Sequence, residues 1–188
     1  GNENNDPPQI KPIVDTCVYA GDTLNINISA KDPNLSDLVT ITAQGGPFQI
    51  DPSRVSFSAN IGNPANASFQ WRTICTDIRP SFYEMVFKAE DDHTTVGGNP
   101  VHLVDLETWL IHVVAPPPDS LFATVNANDI LLNWDSLYKC ASSPDFQYFS
   151  VWRKYGCENM DRVGCETGLD NTGYELIADE ITDYHYLD

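Results

Sequence analysis

The chain has 188 residues, 41% hydrophobic and 11% aromatic, which is enough for one large or two small domains with a real core. Its formal net charge of -17 is no local tail, because residues 1–115 carry -8 and residues 116–188 carry -9. That balance disfavours binding to nucleic acid or to an anionic membrane surface, and no run reaches the ~18 apolar residues of a membrane span.

Residues 1–7 are polar and read as a linker or tag remnant, so the chain reads as a piece of a longer protein. Residues 22–30 alternate strictly: Leu24, Ile26, Ile28 and Ala30 face one way, and Thr23, Asn25, Asn27 and Ser29 the other. That is the pattern of a half-buried strand. Asp32-Pro33-Asn34 ends it, and residues 39–43 start the next strand. Gly45-Gly46-Pro47 reads as a break. Residues 55–58 and 67–71 alternate again, and residues 83–89 place Tyr83, Met85, Phe87 and Ala89 on one face. Residues 106–114 close this half, with Trp109, Ile111 and Val113 inward. Seven short strands separated by turns predict a β-sandwich.

Val113-Val114-Ala115 runs into Pro116-Pro117-Pro118. Proline lacks a backbone N–H and fixes φ, so this segment reads as a semi-rigid hinge between two β domains. Five further strands follow, at residues 121–125, 130–134, 148–154, 173–178 and 182–186. No long 3.6-residue apolar period occurs, so almost no helix is expected. The fold class is all-β, two tandem β-sandwiches.

Five cysteines occur, Cys17, Cys75, Cys140, Cys157 and Cys165, with no C-x-x-C pair. Their spread argues for disulfides and an oxidising compartment rather than zinc. Cys17 and Cys75 are the two in the first half, and their pairing is expected. No G-x-S-x-G, H-E-x-x-H or Walker loop is present, so no enzyme is expected. His102, Glu107 and His112 invite a metal reading. On a strand, though, the two histidines lie ten residues apart and Glu107 points to the other side. Asp32, Asp91 and Asp92 are the better ligand set, calcium being the oxygen-seeking ion that suits them. The alternative is ordinary solvated acidic loops.

Ala20-Gly21-Asp22, Ile28-Ser29-Ala30-Lys31-Asp32-Pro33 and Val39-Thr40-Ile41-Thr42 resemble cadherin-like and related bacterial immunoglobulin-like domains. So does Phe87-Lys88-Ala89-Glu90-Asp91-Asp92, and the match covers residues 8–115. In cadherins, acids equivalent to Asp32 and Asp91 meet those of a neighbouring domain around calcium. Here the usual D-x-N-D-N linker is replaced by proline. Phe69-Gln70-Trp71 through Cys75-Thr76-Asp77 is similar to domains of large Bacteroidetes surface proteins of the gliding-motility-associated C-terminal sorting-domain type.

Residues 116–188 resemble a fibronectin type III domain. Ile130-Leu131-Leu132-Asn133-Trp134 matches its second strand, and Phe149-Ser150-Val151-Trp152-Arg153 its third. Cys165-Glu166-Thr167-Gly168 with Gly173-Tyr174 resembles an insertion in the same proteins. The last two strands of the pattern would follow Asp188. The resemblance implies a Cys140–Cys165 bond, with Cys157–Cys165 as the competing pair.

These resemblances imply a non-catalytic structural or adhesive module of a multidomain, secreted or cell-surface bacterial protein, linked to gliding motility or surface attachment. Its partners would be neighbouring domains of the same long chain and surface glycans or proteins. The alternative is a carbohydrate-binding or spacer module of a secreted glycoside hydrolase, for which Tyr148, Trp152 and Tyr155 would have to form an exposed row.

Overall fold

The computed structural model describes residues 5–144, 146–156, 169 and 172–188. The chain forms two compact units. The first takes residues 1–18, 22–73 and 79–113, and the second takes residues 19–21, 74–78 and 114–188. The second is therefore not contiguous in sequence, and two short segments of the first half belong to it.

Period-two alternation builds the first unit. One sheet has the order β1 (Gln9–Ile10), β3 (Thr23–Lys31), β6 (Ala65–Arg72), β5 (Val55–Ala59). The other has the order β2 (Thr16–Tyr19), β8 (Val104–Val114), β7 (Tyr83–Asp91), β4 (Val39–Gly45). Along β6 buried and exposed residues alternate without a break, so Ala65, Ala67, Phe69 and Trp71 face inward. Trp71, Trp109, Phe69, Phe87, Met85 and Ile41 are all sealed from water. Phe69 meets Trp109 edge-on at 5.9 Å between ring centres, a favoured aromatic geometry. The β-sandwich expected here is the one observed.

The break read at Gly45-Gly46-Pro47 is instead the start of α1 (Gly46–Ile50), with proline in its first turn. Gly45 is required there, because a Cβ would lie 2.3 Å from the Glu84 carbonyl oxygen. Apart from α1, the helix among the described residues is two short 3-10 turns, Pro52–Arg54 and Cys75–Asp77.

The N-terminal residues were not read as strands, yet they run along the sandwich as β1 and β2. Side chains near β8 hold them. Asp105 Oδ2 accepts from the Ile10 N–H at 2.8 Å, and Glu107 Oε1 from the Ile13 N–H at 2.8 Å. Trp109 Nε1 donates to the Val14 carbonyl at 3.0 Å, and Asp15 Oδ1 accepts from the Leu110 N–H at 3.0 Å. Carboxylates thus stand in for a missing ladder partner.

In the second unit β9 (Phe122–Asn126), β10 (Asp129–Asn133) and β13 (His185–Leu187) form a sheet of order β13-β10-β9. β11 (Phe149–Arg153) pairs antiparallel with β12 (Glu175–Ile181), with irregular register around Val151. The core is small: Trp134, Phe149 and Val151 are buried, with Leu132, Tyr138, Phe146 and Tyr184 partly covered around them. Arg153 Nη1 bonds both carboxylate oxygens of Asp188, at 2.9 and 3.0 Å, and ties the last residue to β11.

The disulfide expectation is corrected. Cys75 bonds Cys140, with 5.3 Å between their Cα atoms, so neither the Cys17–Cys75 nor the Cys140–Cys165 pairing holds. The reason is local. Cys75 opens the 3-10 turn after β6, within the segment that folds with the second unit, so its partner comes from the loop after β10. Cys17 is disulfide-bonded as well, though not to Cys75. Cys157 and Cys165 lie outside the described residues, as does the insertion at residues 165–168.

Candidate functional site

One end of the first unit gathers acids. Asp32 directly follows β3, where Pro33 stops the ladder, and Asp91 is the last residue of β7. Both are buried, at 0% and 2% exposure. Asp32 Oδ1 accepts from the Asn34 N–H at 2.7 Å, and Asp91 Oδ1 from the Leu103 N–H at 2.8 Å. The other carboxylate oxygen of each, Oδ2, is buried without a hydrogen-bond partner. Burial pushes the Asp32 carboxyl above its ordinary range. The Asn34 hydrogen bond opposes this, and repulsion from Asp91, Asp37 and Asp6 adds to it.

Two residues that sequence reasoning did not single out organise this end. Asn63 donates from Nδ2 to the carbonyls of Asp32, Asn34 and Asp37 at 3.1, 3.2 and 3.1 Å. Its Oδ1 accepts from the Asp32 N–H at 3.1 Å. Asp37 pairs its Oδ2 with His93 Nδ1 at 2.7 Å and takes a hydrogen bond from Ser36 Oγ. The only sequence signal for either was proximity to a proline or an acidic loop.

Of the three expected ligands, Asp32 and Asp91 are electrostatic neighbours. Asp92 is exposed, and its Oδ1 takes the Leu38 N–H at 2.6 Å. Among the described residues no three histidine, cysteine or acidic side chains converge on one point. Two orphaned carboxylate oxygens fit a hard cation, and most of the six to eight oxygens calcium takes would have to come from carbonyls or water.

The histidine set disperses. His102 Nδ1 faces Glu90, which Lys88 also holds; Glu107 serves Ile13; and the His112 Nε2 atom meets the Arg79 carbonyl at 3.1 Å. Lys88 first, then His102, keeps the Glu90 carboxyl below its ordinary range.

The second unit holds an open pocket of about 260 Å³ where the loop after β10 meets the start of β11. Its walls include Ile78, Tyr138, Cys140, Phe146 and Phe149, with Ser143 and Tyr148 on the lining. Ser143 is 8% exposed, and its Oγ has no hydrogen-bond partner. Tyr138 donates its hydroxyl to the Pro116 carbonyl at 2.8 Å, and burial raises its pKa. Tyr148, Trp152 and Tyr155 do not form one exposed row. Tyr148 lines the pocket, Trp152 is half-buried opposite Leu176, and Tyr155 lies beyond the strand under Arg153.

No protein-family model matches the sequence, and no curated protein matches it. Solved structures similar to it include the sialic acid binding region of a Streptococcus sanguinis SK1 adhesin bound to 3'sLn. That similarity has 12% identity and a TM-score of 0.46, and covers 70% of this chain and 45% of that one. Another is the SrpA adhesin from Streptococcus sanguinis, at 11% identity and a TM-score of 0.39, covering 71% of this chain and 89% of that one. A third is Dpr2 Ig1-Ig2 in complex with DIP-Theta Ig1-Ig3, at 11% identity and 0.36, covering 80% and 69%. The chain therefore spans less than half the length of the first of these.

Proposed function

We propose that the chain is a non-catalytic structural or adhesive module of a secreted or cell-surface protein. It would stand in line with neighbouring domains and present its surface to glycans or proteins. One observation carries this reading. The side chains that could do chemistry are used to tie strands together: Asp105 and Glu107 on the N-terminal segment, His93 on Asp37, and His112 on a carbonyl. The second unit, residues 116–188, is read as fibronectin type III-like. Its order β13-β10-β9 beside the pair β11-β12 suits that reading. The first, residues 8–115, is read as cadherin- or immunoglobulin-like. The sequence motifs also support a large Bacteroidetes surface protein serving gliding motility or attachment. The hydrolase-accessory reading loses its support with the missing aromatic row.

Calcium belongs to the same proposal. The free oxygens of Asp32 and Asp91 are where a cation would relieve both burial and mutual repulsion. Two measurements test the reading. Melting in millimolar calcium, against sodium at matched ionic strength, is expected to move upward, and no shift removes the ion from the proposal. The intact chain is expected to be retained saturably on an array of neutral and acidic glycans and surface proteins, and to leave them unchanged. Turnover of any of them, or no retention, overturns the adhesive reading.

A further inference from the structure

We propose that the outward face of the sheet β1-β3-β6-β5 binds a neutral glycan, with the side-chain amides of Asn27 and Asn66 at its centre. This rests on the reading of the chain as a non-catalytic adhesive module, and it names the surface and the ligand class.

The face follows from period two. The side of β3 that the core does not use carries Thr23, Asn25, Asn27 and Ser29, and β6 sets Asn66, Ser68 and Gln70 beside them. The outward positions of all four strands hold no acid and no apolar side chain. Two bases stand at opposite ends: Lys31 is the last residue of β3, and Arg72 pairs with Thr23, the first. In a chain with 27 acidic residues and a net charge of -17, this is a neutral plane.

Most of the plane is satisfied from within. Gln70 Nε2 donates to Asn25 Oδ1 at 2.8 Å, and the Ser58 and Ser68 hydroxyls meet at 2.8 Å. Ser29 Oγ donates to the Ala65 carbonyl at 3.4 Å. Asn27 and Asn66 differ: both are exposed, and among the described residues neither side-chain amide has a partner. The register sets Asn27 opposite Ser68 and Asn66 opposite Ser29, so the two asparagines are diagonal neighbours, roughly 7–8 Å apart. Each amide offers N–H donors and an acceptor oxygen. Adjacent hydroxyls of a sugar ring also donate and accept at once, and so match it.

Composition decides between partners. The core of a protein interface draws on aromatic and apolar anchors, and this face has none. An acidic polymer would meet the charge of -17 on approach, with two bases at the margins to attract it. A neutral glycan meets no repulsion and strips water from no carboxylate here.

The test passes the whole chain over immobilised dextran, mannan and chitin, with polygalacturonate as the acidic counterpart. Retention is expected on at least one neutral polymer, and a tenfold rise in sodium chloride is expected to leave it unchanged. Asn27→Val with Asn66→Val suits the strands and removes both amides. It is expected to weaken retention at least tenfold while the melting temperature holds. Thr42→Val with Gln44→Val, at exposed positions of β4 in the other sheet, is expected to change nothing. If the Asn27/Asn66 valine pair melts lower, Asn27→Thr with Asn66→Thr replaces it, with the same expected loss. Retention on polygalacturonate alone, abolished by salt, overturns the proposal in favour of charge pairing at Lys31 and Arg72. Full retention by the variant without the two amides, or equal loss from the β4 variant, overturns it by placing the glycan elsewhere. If surface proteins retain the chain and no polysaccharide does, this inference falls and the adhesive reading stands. If nothing retains it, both fall.

Discussion

Asp32 is held in a state that folding makes harder to ionise. Its folded pKa is raised from an ordinary value of 3.8, first by burial and then by its acidic neighbours. A raised carboxyl binds its proton more tightly when folded. The stability this gives is fully present below the unfolded value and is lost as pH rises through the folded one. At neutral pH without calcium, the ionised group therefore destabilises the unit. Asp32→Asn removes the charge, keeps an acceptor for the Asn34 N–H, and offers an amide donor near Asp91. It is expected to raise stability at pH 7 by about 1 kcal/mol, roughly 4–8 °C for a domain of this size, and to flatten the pH dependence of melting. It should also abolish any calcium-induced shift. A lower melting temperature at every pH would show that the ionised form is already compensated. The sequence singled out this pair through the cadherin-like resemblance, and the structure makes the two acids electrostatic neighbours. Asn63 was not legible in the sequence, since its four hydrogen bonds join segments about thirty residues apart that no local pattern connects.

Elements with strong alternation were readable, and those held from outside were not. β3, β6 and β7 carry long apolar faces, so their inward residues follow from period two. β1 is two residues long with Pro12 close behind, and nothing in its composition marks a strand. It pairs with β3, and Asp105 and Glu107 reach across to hold its segment from the other side. Replacing both with alanine is expected to cost about 1–3 kcal/mol for each stranded N–H and to speed hydrogen exchange at Ile10 and Ile13. Exchange at β6 should not change. Unaltered exchange at Ile10 and Ile13 would mean that backbone pairing alone keeps the segment in place. The pocket was equally hidden, because its wall draws on residues 78, 115, 138, 140, 143 and 146–149, and no motif links them. Disulfide connectivity likewise cannot be fixed from spacing when the folding units interleave.

At the scale of the molecule the two units differ in how much they bury. The second rests on Trp134, Phe149 and Val151, on the order of 5–9 kcal/mol of apolar burial before chain entropy is set against it. The first buries two tryptophans, two phenylalanines and Met85 to within 1% exposure. Calorimetry is expected to show two transitions, the lower one reporting the second unit through Trp134 fluorescence. Cys75→Ser with Cys140→Ser should lower that transition, since closing a loop of 65 residues contributes roughly 4 kcal/mol in the chain-entropy model. A single transition, unmoved by the double substitution, would contradict this division.

The Cys75–Cys140 bond also bears on tension along the chain. In any chain pulled from its ends, load follows the covalent path once the fold gives way. Load that reaches residue 75 can pass through this bond straight to residue 140, so β7, β8, β9 and β10 lie off the covalent path. At about 3.4 Å per extended residue, the bond withholds at least about 220 Å of contour length from any stretching event. Residues 76–139 thus form a closed loop that end-to-end tension cannot draw into the covalent path while the bond is intact.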